Sequence, residues 1–213
     1  VEKELFRIAL PVTMNRLSHT LLRTCCSVLI PLRLCARGLS HAEAISRMGM
    51  LNGMVMPMIF LPGMFTGALG TVSIPAVAKQ REKGEKQRLT LRLLLTAAMV
   101  GGGCWGLLFA VAPLIGGKIY GLPEVGDLLR VMSPMAMLLS VQQVLGGIMM
   151  GEGLQRKAFF ASLGGALTTL LLTYLWTASS MGIYGAGYAN MTGHLITLGW
   201  CLVSFFRHNQ KRP

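Results

Sequence analysis

Two arginines, Arg16 and Arg23, lie within the first long apolar stretch of this 213-residue sequence. At a rise of about 1.5 Å per residue, each lies about 13 to 15 Å along a helix from the nearest basic residue beyond the stretch, too far for easy access to water. Their spacing of seven residues places both on one helix face, with Thr13, Thr20 and Ser27 on or beside the same stripe. Because a charge is costly in lipid, such residues usually face a cavity or a partner.

The partner that this basic stripe favours is an anion. An arginine could also pair with a carboxylate on a neighbouring helix and serve only to hold the helices together. However, no Asp or Glu falls inside an apolar stretch, and Asp127 and Glu152 lie only at the ends of such stretches. A guanidinium offers a planar donor fork that matches phosphate oxygens, so the stripe predicts an anion-binding cavity.

Other polar residues at similar depth could line the same cavity or form interhelical hydrogen bonds of modest strength. They are Asn52, Gln142, Gln143, Asn190 and His194. The sequence has no Ser/His/Asp set, no acidic magnesium cluster and no CxxC or HxxxH spacing. A membrane enzyme acting on a lipid phosphate would therefore lack its usual groups, and we expect no catalytic residue, metal site or cofactor.

The composition indicates an integral membrane protein. Hydrophobic residues make up 53% of the chain and charged residues 13%, about half the share of a soluble domain. Residues 48–78 and 158–206 contain no charge, and each stretch exceeds the roughly 20 residues that cross a bilayer. Only α-helices and closed β-barrels span a bilayer, and the sequence lacks the alternation of apolar and polar residues that barrel strands show. The spans should therefore be α-helices. We predict an all-α bundle of six spans, at about 5–31, 48–78, 93–115, 131–150, 158–177 and 183–206, with a proline break in the second.

The 20 Lys and Arg residues and 8 Asp and Glu residues give a net charge of +12. Thirteen of the basic residues fall on one side of the predicted spans and five on the other, so the positive-inside rule places both ends in the cytoplasm. The outer loop 32–47, with three arginines, fits this rule poorly. The basic loop 79–92 is expected to set topology and attract anionic lipids, and not to bind nucleic acid.

Three stretches, residues 8–34, 38–79 and 128–158, are similar to segments of a known family, and the first two are the most specific because Pro, Arg and Gly recur in them at the family's spacing. They resemble the second half of the stage V sporulation protein B group, in the multidrug/oligosaccharidyl-lipid/polysaccharide exporter (MOP) superfamily. The resemblance implies one six-helix lobe of a two-lobed flippase that works by alternating access in the bacterial cell membrane. Because the chain begins with Val and lacks a signal peptide, we expect it to be part of a longer polypeptide or to have had its start removed. The resemblance implies that a first lobe of the same polypeptide is missing.

Three functions remain open at this point. The resemblance implies a flippase for a lipid-linked saccharide diphosphate, such as a peptidoglycan precursor in spore cortex synthesis, with Arg16 and Arg23 binding the headgroup. A cation-coupled multidrug exporter of the same fold is the first alternative, although such exporters commonly need an intramembrane carboxylate. The second alternative is a membrane scaffold or partner subunit that does not transport.

Overall fold

A computed structural model describes the backbone of residues 2–80 and 82–210, and it leaves undescribed the side chains of residues 2–12, 15, 16, 19, 83, 209 and 210. The described residues form α-helices joined by short turns, with no strand among them. The helices are α1 (Glu2–Ala36), α2 (His41–Gly49), α3 (Met56–Lys79), α4 (Lys83–Leu114), α5 (Pro123–Met132), α6 (Pro134–Gly151), α7 (Gln155–Thr177) and α8 (Ile183–Gln210). Two π-helical segments, Met50–Val55 and Ile115–Ile119, continue directly from α2 and α4.

Four helical segments in the described part of the chain are long and apolar enough to cross a membrane. They are His41–Lys79, Gly84–Ile119, Pro134–Gly151 and Gln155–Thr177. The two remaining predicted spans lie within α1 and α8, which have 35 and 28 residues. The chain thus has the helices of a multi-pass membrane protein, while the count of six spans stays a prediction.

Two short helices were absent from the sequence prediction. Helix α2 begins in the predicted loop 32–47 and forms the first part of the continuous helix His41–Lys79. It starts with a capping box, in which Ser40 and Glu43 satisfy each other's backbone N–H groups. Helix α5 is separated from α6 at Ser133 because Pro134 has no N–H to donate to the carbonyl of Arg130. The Ser133 hydroxyl donates to that carbonyl instead, at 2.8 Å.

The predicted proline break in the second span is wrong. Pro62 and Pro75 lie inside α3, and the helix is continuous from His41 to Lys79. The distortion lies before Pro57, where the N–H of Met56 donates to the carbonyl of Leu51, five residues earlier. A proline ring clashes with the carbonyl four residues before it, and a widened turn gives that ring room.

The basic segment 79–92 is also more helical than predicted. Helix α3 ends at Lys79 and α4 begins at Lys83, so most of the expected loop is the first part of α4. Lys86 Nζ lies 2.5 Å from Glu152 Oε1, beyond the end of α6. The side chain of Glu152 is completely buried, so this ion pair connects α4 to α6 at one end of the bundle.

Glycines allow the helices to approach closely. A Cβ on Gly147 of α6 would overlap the Gly70 carbonyl of α3, and a Cβ on Gly165 of α7 would overlap Thr197 of α8. Two buried apolar clusters lie at opposite ends of the bundle. One joins α2, α5 and the segment Met50–Val55 to the ends of α1 and α4 and the starts of α3, α6 and α8. The other joins the ends of α3, α6 and α8 to the starts of α4 and α7.

Candidate functional site

A cavity of about 340 Å³ lies among α1, α3, α7 and α8, with the π-helical segment Met50–Val55 on one side. It brings together five of the nine predicted site residues. These are Thr20, Arg23, Asn52, Asn190 and His194. Apolar side chains complete the wall, including Met56, Phe60 and Met135.

Arg23 supplies the positive charge of this cavity. Its guanidinium extends from an exposed position on α1. The neighbouring hydroxyls are used within the helix, because Thr24 donates to the carbonyl of Thr20 at 3.0 Å and Ser27 to the carbonyl of Arg23 at 2.9 Å. Among the described lining residues, Arg23 is the only Lys or Arg and none is Asp or Glu. The cavity therefore favours an anionic ligand over a cationic one.

Asn52 reaches the cavity from the π-helical segment Met50–Val55. A π-helical turn contains an additional residue, which changes the direction of the side chains on it, and such turns are frequent at functional sites. The three prolines in the second span were the signal in the sequence. The prolines predict a break, whereas the structure has a widened turn before Pro57 that carries Asn52.

Asn190 and His194 lie one turn apart on α8. The Asn190 side-chain amide donates to the carbonyl of Ala186 at 3.0 Å. His194 Nδ1 lies 2.8 Å from Gln142 Oε1 on α6. Since an amide oxygen only accepts, Nδ1 carries the proton in this arrangement. Gln142 is thus placed behind His194, bonded to a lining residue without lining the cavity itself.

The other predicted site residues lie elsewhere or outside the described part. Gln143 accepts a hydrogen bond from Thr66 at 3.0 Å. Both Gln142 and Gln143 line a different cavity of about 390 Å³ between α3 and α6. Thr13 is exposed and is not among the lining residues. The side chain of Arg16 lies outside the described residues. A binding role stays a prediction for all nine residues, whether or not they line the Arg23 cavity.

Sequence reasoning missed the contribution of α7 to this cavity. Ser162 and Thr169 of α7 lie in its wall beside Gly165, and Thr197 of α8 lies opposite them. Thr169 and Thr197 donate to the carbonyls of Gly165 and Gly193, each at 3.0 Å. Small residues at these positions let the two helices approach closely. That spacing was visible in the sequence, but it did not show which helix face lines a cavity.

Arg33 also has a role that the sequence did not indicate. The sequence predicts an outer loop for Arg33, but the residue lies in the last turn of α1. Its Nε donates to the Tyr174 carbonyl of α7 at 3.0 Å, and its guanidinium carbon lies 3.9 Å from the centroid of the Tyr174 ring. This contact joins α1 to α7, the two helices that carry Arg23 and Thr169.

In fold, the chain is similar to solved transporters of the MOP superfamily. A MOP superfamily transporter from Pyrococcus furiosus, described as having a binding pocket of reverse polarity, superposes with a TM-score of 0.76 at 17% identity, over 96% of this chain and 45% of that one. An outward-facing multidrug resistance MATE family transporter gives 0.75 at 18% identity, over 95% and 44%. An inward-facing MATE family transporter gives 0.68 at 20% identity, over 86% and 41%. The chain has the fold of these transporters.

In sequence, the chain is 30% identical over 200 residues to stage V sporulation protein B of Bacillus subtilis (strain 168). The match covers 92% of this chain and 39% of that protein, so the chain spans about two fifths of its relative. No family model matches the sequence. The resemblance in sequence to stage V sporulation protein B is thereby confirmed, and the fold is that of solved MOP superfamily transporters.

Proposed function

We propose that this chain forms one lobe of a transporter that moves a lipid-linked saccharide diphosphate across the bacterial cell membrane by alternating access. The observation that carries the proposal is Arg23, which lines a cavity whose described lining residues include no carboxylate. The MOP superfamily fold and the similarity to stage V sporulation protein B support the class of transporter. Because the relative is a sporulation protein, a peptidoglycan precursor used in spore cortex synthesis is the first substrate to test.

The cavity has groups that suit such a headgroup. The Arg23 guanidinium can donate two parallel hydrogen bonds to phosphate oxygens. Asn52, Asn190 and His194 offer hydrogen-bond donors and acceptors for sugar hydroxyls. A volume of about 340 Å³ holds part of a headgroup, while the prenyl tail stays in the bilayer.

A second lobe would face the exposed side of α1 in this proposal. Leu17, Leu21 and Val28 expose 53%, 59% and 59% of their surface on that helix, which also carries Arg23. In two-lobed transporters the substrate site lies near the bilayer midplane between the lobes. An arginine on α1 would then contact the substrate from one lobe while the other lobe closes the cavity.

The multidrug exporter is the second candidate, because two of the similar structures are multidrug resistance MATE family transporters. A cationic drug needs a negative or aromatic site, and an exporter that exchanges it for protons or sodium commonly uses an intramembrane carboxylate. The described lining residues of the Arg23 cavity include none. Charge therefore favours the anionic substrate.

Arg23 provides the direct test. In the polypeptide that contains this chain, reconstituted into proteoliposomes, we expect Arg23→Ala to reduce translocation of a fluorescent lipid-linked saccharide diphosphate about tenfold or more, because a charge-assisted hydrogen bond is lost. Arg23→Lys should retain an intermediate rate, since it keeps the charge without the fork. Arg88→Ala, which removes an exposed arginine of α4, is the matched control and should leave the rate unchanged.

Two results would contradict the proposal. One is an unchanged translocation rate in Arg23→Ala with normal membrane insertion. The other is a wild-type protein that exports a cationic dye and does not translocate the lipid-linked saccharide. That result would favour the multidrug exporter.

A further inference from the structure

A second basic cavity lies where the start of α7 meets the end of α8. Its volume is about 400 Å³, and it is separate from the cavity that Arg23 lines. It is lined by Lys157, Phe160, Trp200, Ser204, Arg207 and His208. None of these described lining residues is acidic. The transport proposal makes no use of this site.

The two permanent charges of the site come from different helices. Lys157 lies in the first turn of α7 and Arg207 in the last turns of α8, and both side chains are exposed. Because α7 and α8 run antiparallel, these ends meet and the two cations converge on one cavity. Such a pair attracts a ligand that carries a concentrated negative charge, such as a phosphate group.

The site also has an apolar side that faces outward. Phe160 exposes 58% of its surface and Trp200 exposes 49%. A Cβ on Gly164 would lie 3.2 Å from the Trp200 ring, so the missing side chain at Gly164 leaves the indole room against α7. Tryptophan is enriched at the level of lipid headgroups, where one edge of its ring is apolar and the other is wet.

The length of α8 places this site at a membrane surface. A helix of 28 residues is about 42 Å long, and the hydrocarbon core of a bilayer is about 30 Å thick. The last turns of α8, which carry Arg207, therefore extend into the headgroup region. The same end of the bundle holds the end of α3 and the start of α4, with its basic residues.

From these features we infer that the Lys157–Arg207 cavity binds the phosphate headgroup of an anionic phospholipid. Lys157 and Arg207 contact the phosphate, while Phe160 and Trp200 pack against the glycerol and upper acyl region. Basic pockets between membrane helices bind lipids in this way. The site differs from the basic segment 79–92 because it combines charges from two helices with exposed aromatic rings.

Tryptophan fluorescence can test this inference at the site itself. In the polypeptide that contains this chain, Trp105 and Trp176 are replaced by Phe so that Trp200 is the only tryptophan of this chain, and any tryptophan outside the chain is replaced likewise. The protein is reconstituted in vesicles of brominated phosphatidylcholine, which quenches the indole, and unlabelled phosphatidylglycerol is added stepwise. We expect Trp200 to recover fluorescence at a lower phosphatidylglycerol fraction than simple dilution of the quencher would give.

Variants and controls give the expected magnitudes. A basic residue near a lipid surface changes affinity about fivefold, so Lys157→Ala and Arg207→Ala should each weaken phosphatidylglycerol selection about fivefold, and the double variant about 25-fold. Lys157→Arg with Arg207→Lys should retain selection, which separates loss of charge from misfolding. Arg156→Ala removes an exposed neighbouring arginine outside the cavity and should have little effect.

Two further arms distinguish the source of the phosphate and the position of the site. Inorganic phosphate should not displace phosphatidylglycerol, because it lacks the apolar part that packs against Phe160 and Trp200. A protein with Trp176 as its only tryptophan, at the opposite end of α7, should show no selection. The inference is overturned if Trp200 shows no preference for phosphatidylglycerol, if inorganic phosphate displaces it, or if Arg156→Ala and Lys157→Ala weaken selection equally.

Discussion

At the scale of single residues, the acidic groups are as informative as the basic ones. The sequence places Glu152 at the end of an apolar stretch, where a carboxylate usually meets water. In the structure its side chain is completely buried and lies 2.5 Å from the Lys86 amine, itself only 19% exposed. The charge is thus compensated inside the bundle, and it is available neither to the Arg23 cavity nor to a cationic substrate.

This pair gives a prediction for stability. Lys86→Met should lower the free energy of unfolding by about 3 to 5 kcal/mol, because it removes the cation beside a buried carboxylate. The double variant Lys86→Met with Glu152→Leu should recover most of that loss, since no buried charge then remains. Urea unfolding in detergent micelles, followed by circular dichroism, measures both values. A double variant as unstable as the single one would show that the carboxylate has another structural role.

At the scale of helices, contact between α3 and α6 depends on the absence of side chains at particular glycines. Gly146 and Gly147 are adjacent in α6, but only Gly147 faces α3, where a Cβ would overlap the Gly70 carbonyl. A Cβ on Gly146 would meet no atom within 4 Å. The same two-residue motif thus contains one position required for packing and one that is free to change.

We therefore expect opposite effects from the same substitution at these neighbours. Gly147→Ala should destabilise the protein by about 1 to 3 kcal/mol through overpacking. Gly146→Ala should be neutral or stabilising by up to about 1 kcal/mol, because alanine is the better helix former. Thermal unfolding of the two variants in the same detergent gives the comparison. Equal changes in the melting temperature would mean that α3 and α6 do not pack through Gly147.

At the scale of the whole molecule, basic residues are concentrated at one end of the bundle. The end of α3, the starts of α4 and α7 and the end of α8 meet there around one buried cluster. The turn between α7 and α8, with Ser180, lies at the other end of these two helices. The positive-inside rule then predicts that the basic end faces the cytoplasm.

Cysteine labelling tests this orientation. The five native cysteines are replaced, and a single cysteine is introduced at Glu82 or Ser180, both exposed positions outside the long helices. A membrane-impermeant maleimide should label Ser180→Cys in intact cells and Glu82→Cys only after permeabilisation. Labelling of Glu82→Cys in intact cells would reverse the predicted orientation, and it would place the Lys157–Arg207 cavity on the outer surface.

The sequence determined the features that follow from local chemistry. Uncharged stretches long enough to cross a bilayer indicated membrane helices. An arginine among apolar residues indicated a cavity, because a charge in contact with lipid is costly however the helices pack. Polar groups inside apolar stretches likewise singled out nine residues, of which Thr20, Arg23, Asn52, Asn190 and His194 line one cavity. Each of these inferences depends only on the nearest residues in the chain.

Only the tertiary structure decided which of these residues meet. Gln142 bonds to His194 at 2.8 Å while its neighbour Gln143 points to Thr66, because successive helix residues face about 100° apart. The second span has a π-helical turn before Pro57 and no break at its prolines. Glu152 forms an ion pair with Lys86, which lies 66 residues earlier in the sequence. Contacts of this kind depend on how the helices pack. Packing depends in turn on close approaches such as that of Gly147 to Gly70. These residues are far apart in the sequence, so no local pattern predicts their contact.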